Sequence, residues 1–322
     1  MGIKRHIKKY KIILAAFIVA GITGCDVLHD DLDQCDLFLK FRYDYNMANE
    51  DWFAEQVEEV KVFVFDTQGK YIQTLTDNGH SLKSPDYRML IPYRLKGCTA
   101  VVWAGKTDKF YQLPTMDTGD PINKLTLKYE PENNISNNHL DALGHSGPLL
   151  MFSSDISNTE NVSLVRNTND ITIGITRGNN PVDASKYDIQ LITANNFYDY
   201  KNNVGESSKN IIYHPCSVEE EDSKTALQTR LHTLRFIKDA DTTFSITEKA
   251  SGKTIDIGGK TTINLIDYLL MSKPKMMGDQ EYLDRRYEWD INIRIGDKEE
   301  NGYIALSITI NNWTYWFQPT DM

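Results

Sequence analysis

From residue 37 onward, apolar and polar side chains alternate along short runs. Leu37, Leu39, Phe41, Tyr43 and Tyr45 are interleaved with Asp36, Lys40, Arg42 and Asp44. Successive side chains of an extended chain point to opposite faces, so this pattern predicts a strand with one buried face. The run VKVFVFD, starting at Val60, is apolar at both parities, as in a central strand covered on two sides. Thr67-Gln68-Gly69-Lys70 reads as a hairpin turn with KYIQTLTD as its return strand. DYRMLIP, CTAVVWAG and LTLKYE supply further strands. An Asn-rich stretch, PENNISNNHLDALGHSGP, then reads as a loop.

The β pattern resumes at LLMFSS and NVSLVRNTNDITIGITR, with a domain boundary expected near residue 155. Strands are predicted at YDIQLIT, at TRLHTLRFI, around KTIDIG, at YEWDINIRIG and at YIALSITI. In the last of these, Ile304, Leu306, Ile308 and Ile310 alternate with small or polar residues. Asn311-Asn312 is a turn signal, because Asn tolerates positive φ, and WTYWF runs back. INLIDYLL is the one short helix or turn, and no helical stretch is long enough for a parallel α/β fold. The expected fold is all-β: two antiparallel β-sandwich domains in tandem, at 37–155 and 156–322.

The first 24 residues have a different character. Lys4, Arg5, Lys8, Lys9 and Lys11 form a basic segment without an acid, and Ile12 to Ala20 are apolar. Ile22-Thr23-Gly24-Cys25 then matches a lipobox, in which small residues admit a peptidase and the freed cysteine takes the lipid. Residues 1–24 are therefore expected to be a lipoprotein signal peptide, with Cys25 as N-palmitoyl, S-diacylglycerol cysteine. The apolar run is short for a transmembrane helix, which needs about 20 residues. Residues 25–36 form an acidic tether, with Asp26, Asp30, Asp31, Asp33 and Asp36. It reads either as a solvated spacer or as a signal for export to the cell surface.

Loss of the signal removes five basic residues and no acid, so the net charge moves from −10 to about −15. Such a body repels nucleic acid and anionic headgroups, which leaves the lipid as the anchor. Cys35 and Cys98 each open a predicted strand, so a disulfide between them is sterically possible in an oxidising compartment; two buried free thiols are the alternative.

The chain has few candidates for chemistry. Among the seven His, His139 and His145 lie closest, with Asp141 between them, but zinc needs about three protein ligands. Asp117-Thr118-Gly119 carries the letters of an aspartic-protease motif, yet has no second copy and no apolar flanks. Gly144-His145-Ser146-Gly147 misses the spacing of a nucleophile elbow. Glu219 to Asp222 read as a solvated acidic loop. No catalytic residue, metal or cofactor is expected. Trp313, Tyr315, Trp316 and Phe317 form either the packed side of the last hairpin or a docking surface for a partner strand or a glycan.

The order of lipobox cysteine, acidic tether, second cysteine, FRYDYNM, VKVFVFD-x-x-G-K and VVWAG resembles the FimB-type fimbrial anchor family of Bacteroidota. LVRNTNDI, QEYLDRRYEWDI and ITINNW agree, although Asn312 stands where an I-N-G-W turn has glycine. The resemblance implies two transthyretin-like sandwiches in a non-enzymatic lipoprotein at the base of a fimbria. It implies attachment to the outer membrane through the lipid, contact with stalk subunits by strand donation, and a limit on filament length. A surface lipoprotein that binds a glycan or a host molecule through exposed aromatics is the alternative.

Overall fold

The computed structural model describes residues 36–154, 157–216, 228–298 and 302–318. The first unit contributes β1 (Leu37–Arg42), β2 (Val60–Phe65), β3 (Tyr71–Asp77), β4 (Met89–Ile91) and β5 (Thr99–Ala104). Then come β6 (Tyr111–Gln112), β7 (Thr126–Tyr129), β8 (Ile135–Ser136), β9 (Gly144–Leu150), β10 (Thr159–Ser163) and β11 (Val165–Arg166). The second unit runs through β12 (Thr168–Arg177), β13 (Asn180–Val182), β14 (Tyr187–Ala194), β15 (Phe197–Asp199) and β16 (Asn210–Tyr213). It continues with β17 (Gln228–Leu234), β18 (Thr242–Glu248), β19 (Ile263–Asn264), β20 (Glu288–Lys298), β21 (Gly302–Ile310) and β22 (Trp313–Trp316). Short helices α1 (Phe53–Gln56), α2 (Leu265–Met271) and α3 (Asp279–Arg285) interrupt the strands. The all-β expectation holds.

In the first unit a three-stranded sheet, β10-β1-β4, faces a five-stranded sheet, β11-β9-β5-β2-β3. Leu39, Phe41, Val62, Val64, Val102 and Leu82 fill the space between them. The opposite face of the five-stranded sheet is buried as well, through Phe63, Phe65, Val101 and Trp103. This is why VKVFVFD is apolar at both parities. In the second unit β12, β20, β21 and β22 form one sheet, with β13 and β17 sharing the free edge of β12. It packs on the sheet β19-β18-β14-β16-β8. Ile173, Leu191, Phe244 and Ile291 belong to the same continuous cluster as Phe63 and Trp103, so one apolar core crosses from unit to unit.

The two units exchange strands. β8, from the first unit, pairs in parallel with β16, and β15, from the second, pairs with β7. β10 and β11 lie beyond residue 155, yet they pair with β1 and β9 of the first unit. Three pairings are parallel among the described residues: β1 with β10, β12 with β20, and β8 with β16. β1 with β10 and β12 with β20 bring an early and a late strand of the same unit side by side, a crossing that only a long connection allows.

Two local departures from the sequence pattern have physical causes. GHSGP was expected in a loop but forms the start of β9, held there by Trp103 and Ala104 of β5. In β21 the register slips by one residue opposite Arg294 and Ile295. The bulge turns Ala305 into the core and Leu306 outward, so Leu306 leaves the buried set that the alternation of Ile304, Ile308 and Ile310 implies.

Candidate functional site

The motifs that are far apart in sequence meet at the seam between the units. In FRYDYNM, Asn46 is buried and its amide donates to the carbonyls of Tyr43 and Glu50, which fixes a tight bend. The Met47 amide donates to Arg285 O at 3.1 Å, and the Arg285 guanidinium lies 4.3 Å from the centre of the Tyr45 ring. Tyr43 stacks on Tyr287 at 6.4 Å. FRYDYNM therefore clasps QEYLDRRYEWDI.

Arg166, in LVRNTNDI, is the hub of this seam. Its guanidinium sits 4.1 Å over the Tyr287 ring and donates to Gln56, Thr168 and Asp170 at 3.0, 3.1 and 2.8 Å. Asp170 also faces His232 Nδ1 at 2.6 Å. Burial raises the Asp170 carboxyl, but His232 and Arg166 together hold it below the usual range. A polar cavity of about 270 Å³ opens here, bounded by Glu58, Lys106 and Asp141 on one side and Arg166, Asp170 and Glu288 on the other. VVWAG closes the seam from below. Gly105 has φ +121°, and a Cβ there would fall 2.3 Å from Ala142 O, so only glycine fits.

The two histidines singled out in the sequence are apart in role. His145 is 1% exposed in β9, with its ring 4.3 Å from that of Trp103. His139 instead meets His232, ring to ring at 4.2 Å. Burial and the neighbouring His232 lower the His139 pKa. No group of three His, Cys, Asp or Glu able to hold a metal occurs among the described residues. Asp117-Thr118-Gly119 is a surface turn, in which Asp120 accepts from the Asp117 amide and Gly119 takes φ +92°. Cys98 is buried, and burial pushes its thiol pKa up. Cys25, its tether through Cys35, and Glu219 to Asp222 lie outside the described residues.

The C-terminal aromatics divide between two faces of β22. Trp313, Tyr315 and Phe317 share one face: Tyr315 meets Phe317 at 5.2 Å, and Tyr268 of α2 packs edge-on against Tyr315 at 6.0 Å. Asn264 caps α2 by accepting from the Ile266 amide, which places Tyr268 there. Trp316 points the other way and is 53% exposed. Asn311 adopts φ +53°, and its side chain accepts from the Asp290 amide. β22 pairs only with β21 among the described strands. Ile310 and Trp313 flank the turn and the Phe317 amide donates to Leu306 O, so ladder alternation points the Thr314 and Trp316 backbone groups outward.

A family model of fimbrillin-A associated anchor proteins, Mfa1 and Mfa2, matches residues 32–319. The chain belongs to this family. It is thereby a fimbrial protein associated with the cell surface, in a family of structural rather than enzymatic proteins. Its fold is similar to that of a candidate polysaccharide-binding protein from Bacteroides thetaiotaomicron, at 29% identity and TM-score 0.76, covering 90% of this chain and 100% of that one. A candidate adhesin from the same organism is 26% identical with TM-score 0.71, covering 88% and 97%. The fimbrial anchor protein Mfa2 from Porphyromonas gingivalis shares the fold at 18% identity and TM-score 0.65, covering 88% and 99%. No curated protein matches the sequence. FRYDYNM, VVWAG, LVRNTNDI and QEYLDRRYEWDI, four of the sequence runs quoted above, meet at the junction of the two units.

Proposed function

We propose that the chain is an outer-membrane lipoprotein, acylated at Cys25 and exposed on the cell surface, that anchors a fimbria and limits its length. The observation that carries this reading is the anchor-family match over residues 32–319, which begins within the acidic tether behind the lipobox cysteine. Stalk subunits attach by strand donation to an open sheet edge. The outward backbone groups of Thr314 and Trp316 on β22 offer such an edge, with the half-buried rings of Trp313 and Tyr315 beside it. One continuous core, with strands exchanged between the units, suits a connector that carries tension from filament to lipid.

The Cys25→Ala variant tests the anchor. It is expected to leave the membrane fraction, lose the mass of the lipid, and yield cells whose filaments are shed or overlong. A variant that stays membrane-bound, at unchanged mass and with normal cell-bound filaments, would sink the reading.

A further inference from the structure

Among the described residues, no sheet or helix packs on the outer face of the β12-β20-β21-β22 sheet. Ile173, Ile175, Ile291, Ile293, Ile308 and Ile310 point into the core, so the residues between them point to the opposite face, where Trp316 and Thr314 are exposed, Asn292, Arg294 and Thr309 are half-buried, and Gly174 and Ser307 are buried. Cross-strand register sets two rows on that face. One is Thr176, Arg294, Ser307 and Trp316; the other is Gly174, Asn292, Thr309 and Thr314.

Three properties of these rows fix the ligand chemistry. The first is flatness. Gly174 leaves room for the Asn292 amide, since a Cβ there would lie 2.9 Å from Asn292 Nδ2. The second is a preset aromatic platform. Trp316 is exposed, and the Arg294 guanidinium lies 5.7 Å from its ring centre, which holds the indole without adding a neighbouring apolar patch. The third is polarity without net acid. Arg294 is the single charged residue in the two rows, and the rest is hydroxyl, amide and glycine. The hydroxyls of Thr309 and Thr314 lie 3.0 Å apart, and Thr176 donates to Asn292 Oδ1 at 3.1 Å. Those contacts leave Asn292 Nδ2 and hydroxyl lone pairs for a ligand.

A protein partner would want a contiguous apolar area, and one indole does not make it. A polyanion would meet a chain of net charge −10. An uncharged glycan satisfies all three properties: its apolar ring face stacks on Trp316, and its hydroxyls bond to Asn292 and the threonines. From β12 to β22 the rows span about 14 Å, room for a short oligosaccharide. We propose that this face, through its side chains, is a binding site for a neutral glycan chain, separate from the lipid end.

The test titrates the purified full chain with neutral hexasaccharides of glucose, mannose and xylose, read by tryptophan fluorescence and calorimetry. At least one is expected to bind, with a tenfold or greater loss of affinity in Trp316→Ala, a several-fold loss in Asn292→Ala, and unchanged melting temperatures. No binding by any of the three sugars, or equal binding by Trp316→Ala, would overturn the site. Cells carrying Asn292→Ala, a change on β20 away from the β22 edge, are expected to keep normal filaments. Filament loss in that strain would assign this face to subunit docking and overturn the glycan site, whereas failure of the anchor reading would show in Cys25→Ala alone.

Discussion

Replacing Asp284 by alanine is expected to cost about 3–5 kcal/mol of folding stability. Asp284 lies in α3, and its carboxylate grips Arg235 through both oxygens, with Nε–Oδ1 at 2.7 Å and Nη2–Oδ2 at 2.8 Å. Arg235 also donates to Asn202 O at 2.8 Å, and Gln280 donates to the same Asp284 carboxylate at 2.7 Å. The two side chains are 13% and 10% exposed. The pair itself adds little net stability, because removing two charges from water is costly. Truncating one partner is different. The guanidinium cannot shed its proton, so it stays charged, buried and unpaired. Removing both charges, in Arg235→Met with Asp284→Leu, is therefore expected to recover most of the loss. Urea unfolding of the two variants decides the matter. A loss below about 1 kcal/mol in Asp284→Ala would mean that water reaches the pair, contrary to its burial.

Asp284 also shows how legible the seam was in the sequence. Strands announced themselves through period two, and the apolar run of β2 announced its double burial. QEYLDRRYEWDI was visible as a motif and YEWDINIRIG as a strand, but α3 in front of β20 was not foreseen. The helix is short and its sequence gives no long 3.6-residue period; its end charges, Asp279 and Glu281 in the first turn and Arg285 in the last, were the available signal. Partners were harder still. Arg166 reads as one cation among many until the fold brings Tyr287, Gln56 and Asp170 around it. His139 and His145 were neighbours in the chain, but strand alternation sends His145 into the core and leaves His139 to meet His232 from β17. Strand exchange between units has no local signature, since β8 and β15 are only two and three residues long. The C-terminal aromatics were legible as a group, and the sidedness of β22 then separates Trp316 from the other three. A one-residue bulge in β21 does the same for Leu306, which no reading of alternation alone recovers.

His145 makes folding stability depend on pH in a window where carboxylates are quiet. Its ring is enclosed beside Trp103, Nε2 has no hydrogen-bond partner, and burial, aided by the positive charge of Arg235, lowers its pKa from 6.5 to about 3. The folded protein therefore keeps this imidazole neutral, while the unfolded chain takes up a proton below about pH 6.5. The stabilisation is complete above that pH and drains away as the pH falls toward 3. At pH 4.5 the expected loss is about 2–3 kcal/mol relative to pH 7. The carboxylates whose pKa is lowered in the fold, such as Asp77 beside the Gly79 amide, lose their stabilisation only at lower pH. His139 shifts in the same direction but is mostly exposed, so its share is smaller. Denaturant unfolding of the wild-type chain and of His145→Leu, at pH 7 and pH 4.5, isolates the effect. The absolute stability of the variant is not the readout, because a leucine repacks against Trp103. The readout is the difference between the two pH values, which is expected to shrink by about 2–3 kcal/mol once the buried imidazole is gone. Equal pH dependence in both proteins would show that the His145 site admits a proton in the folded state, and with it water to the heart of the five-stranded sheet.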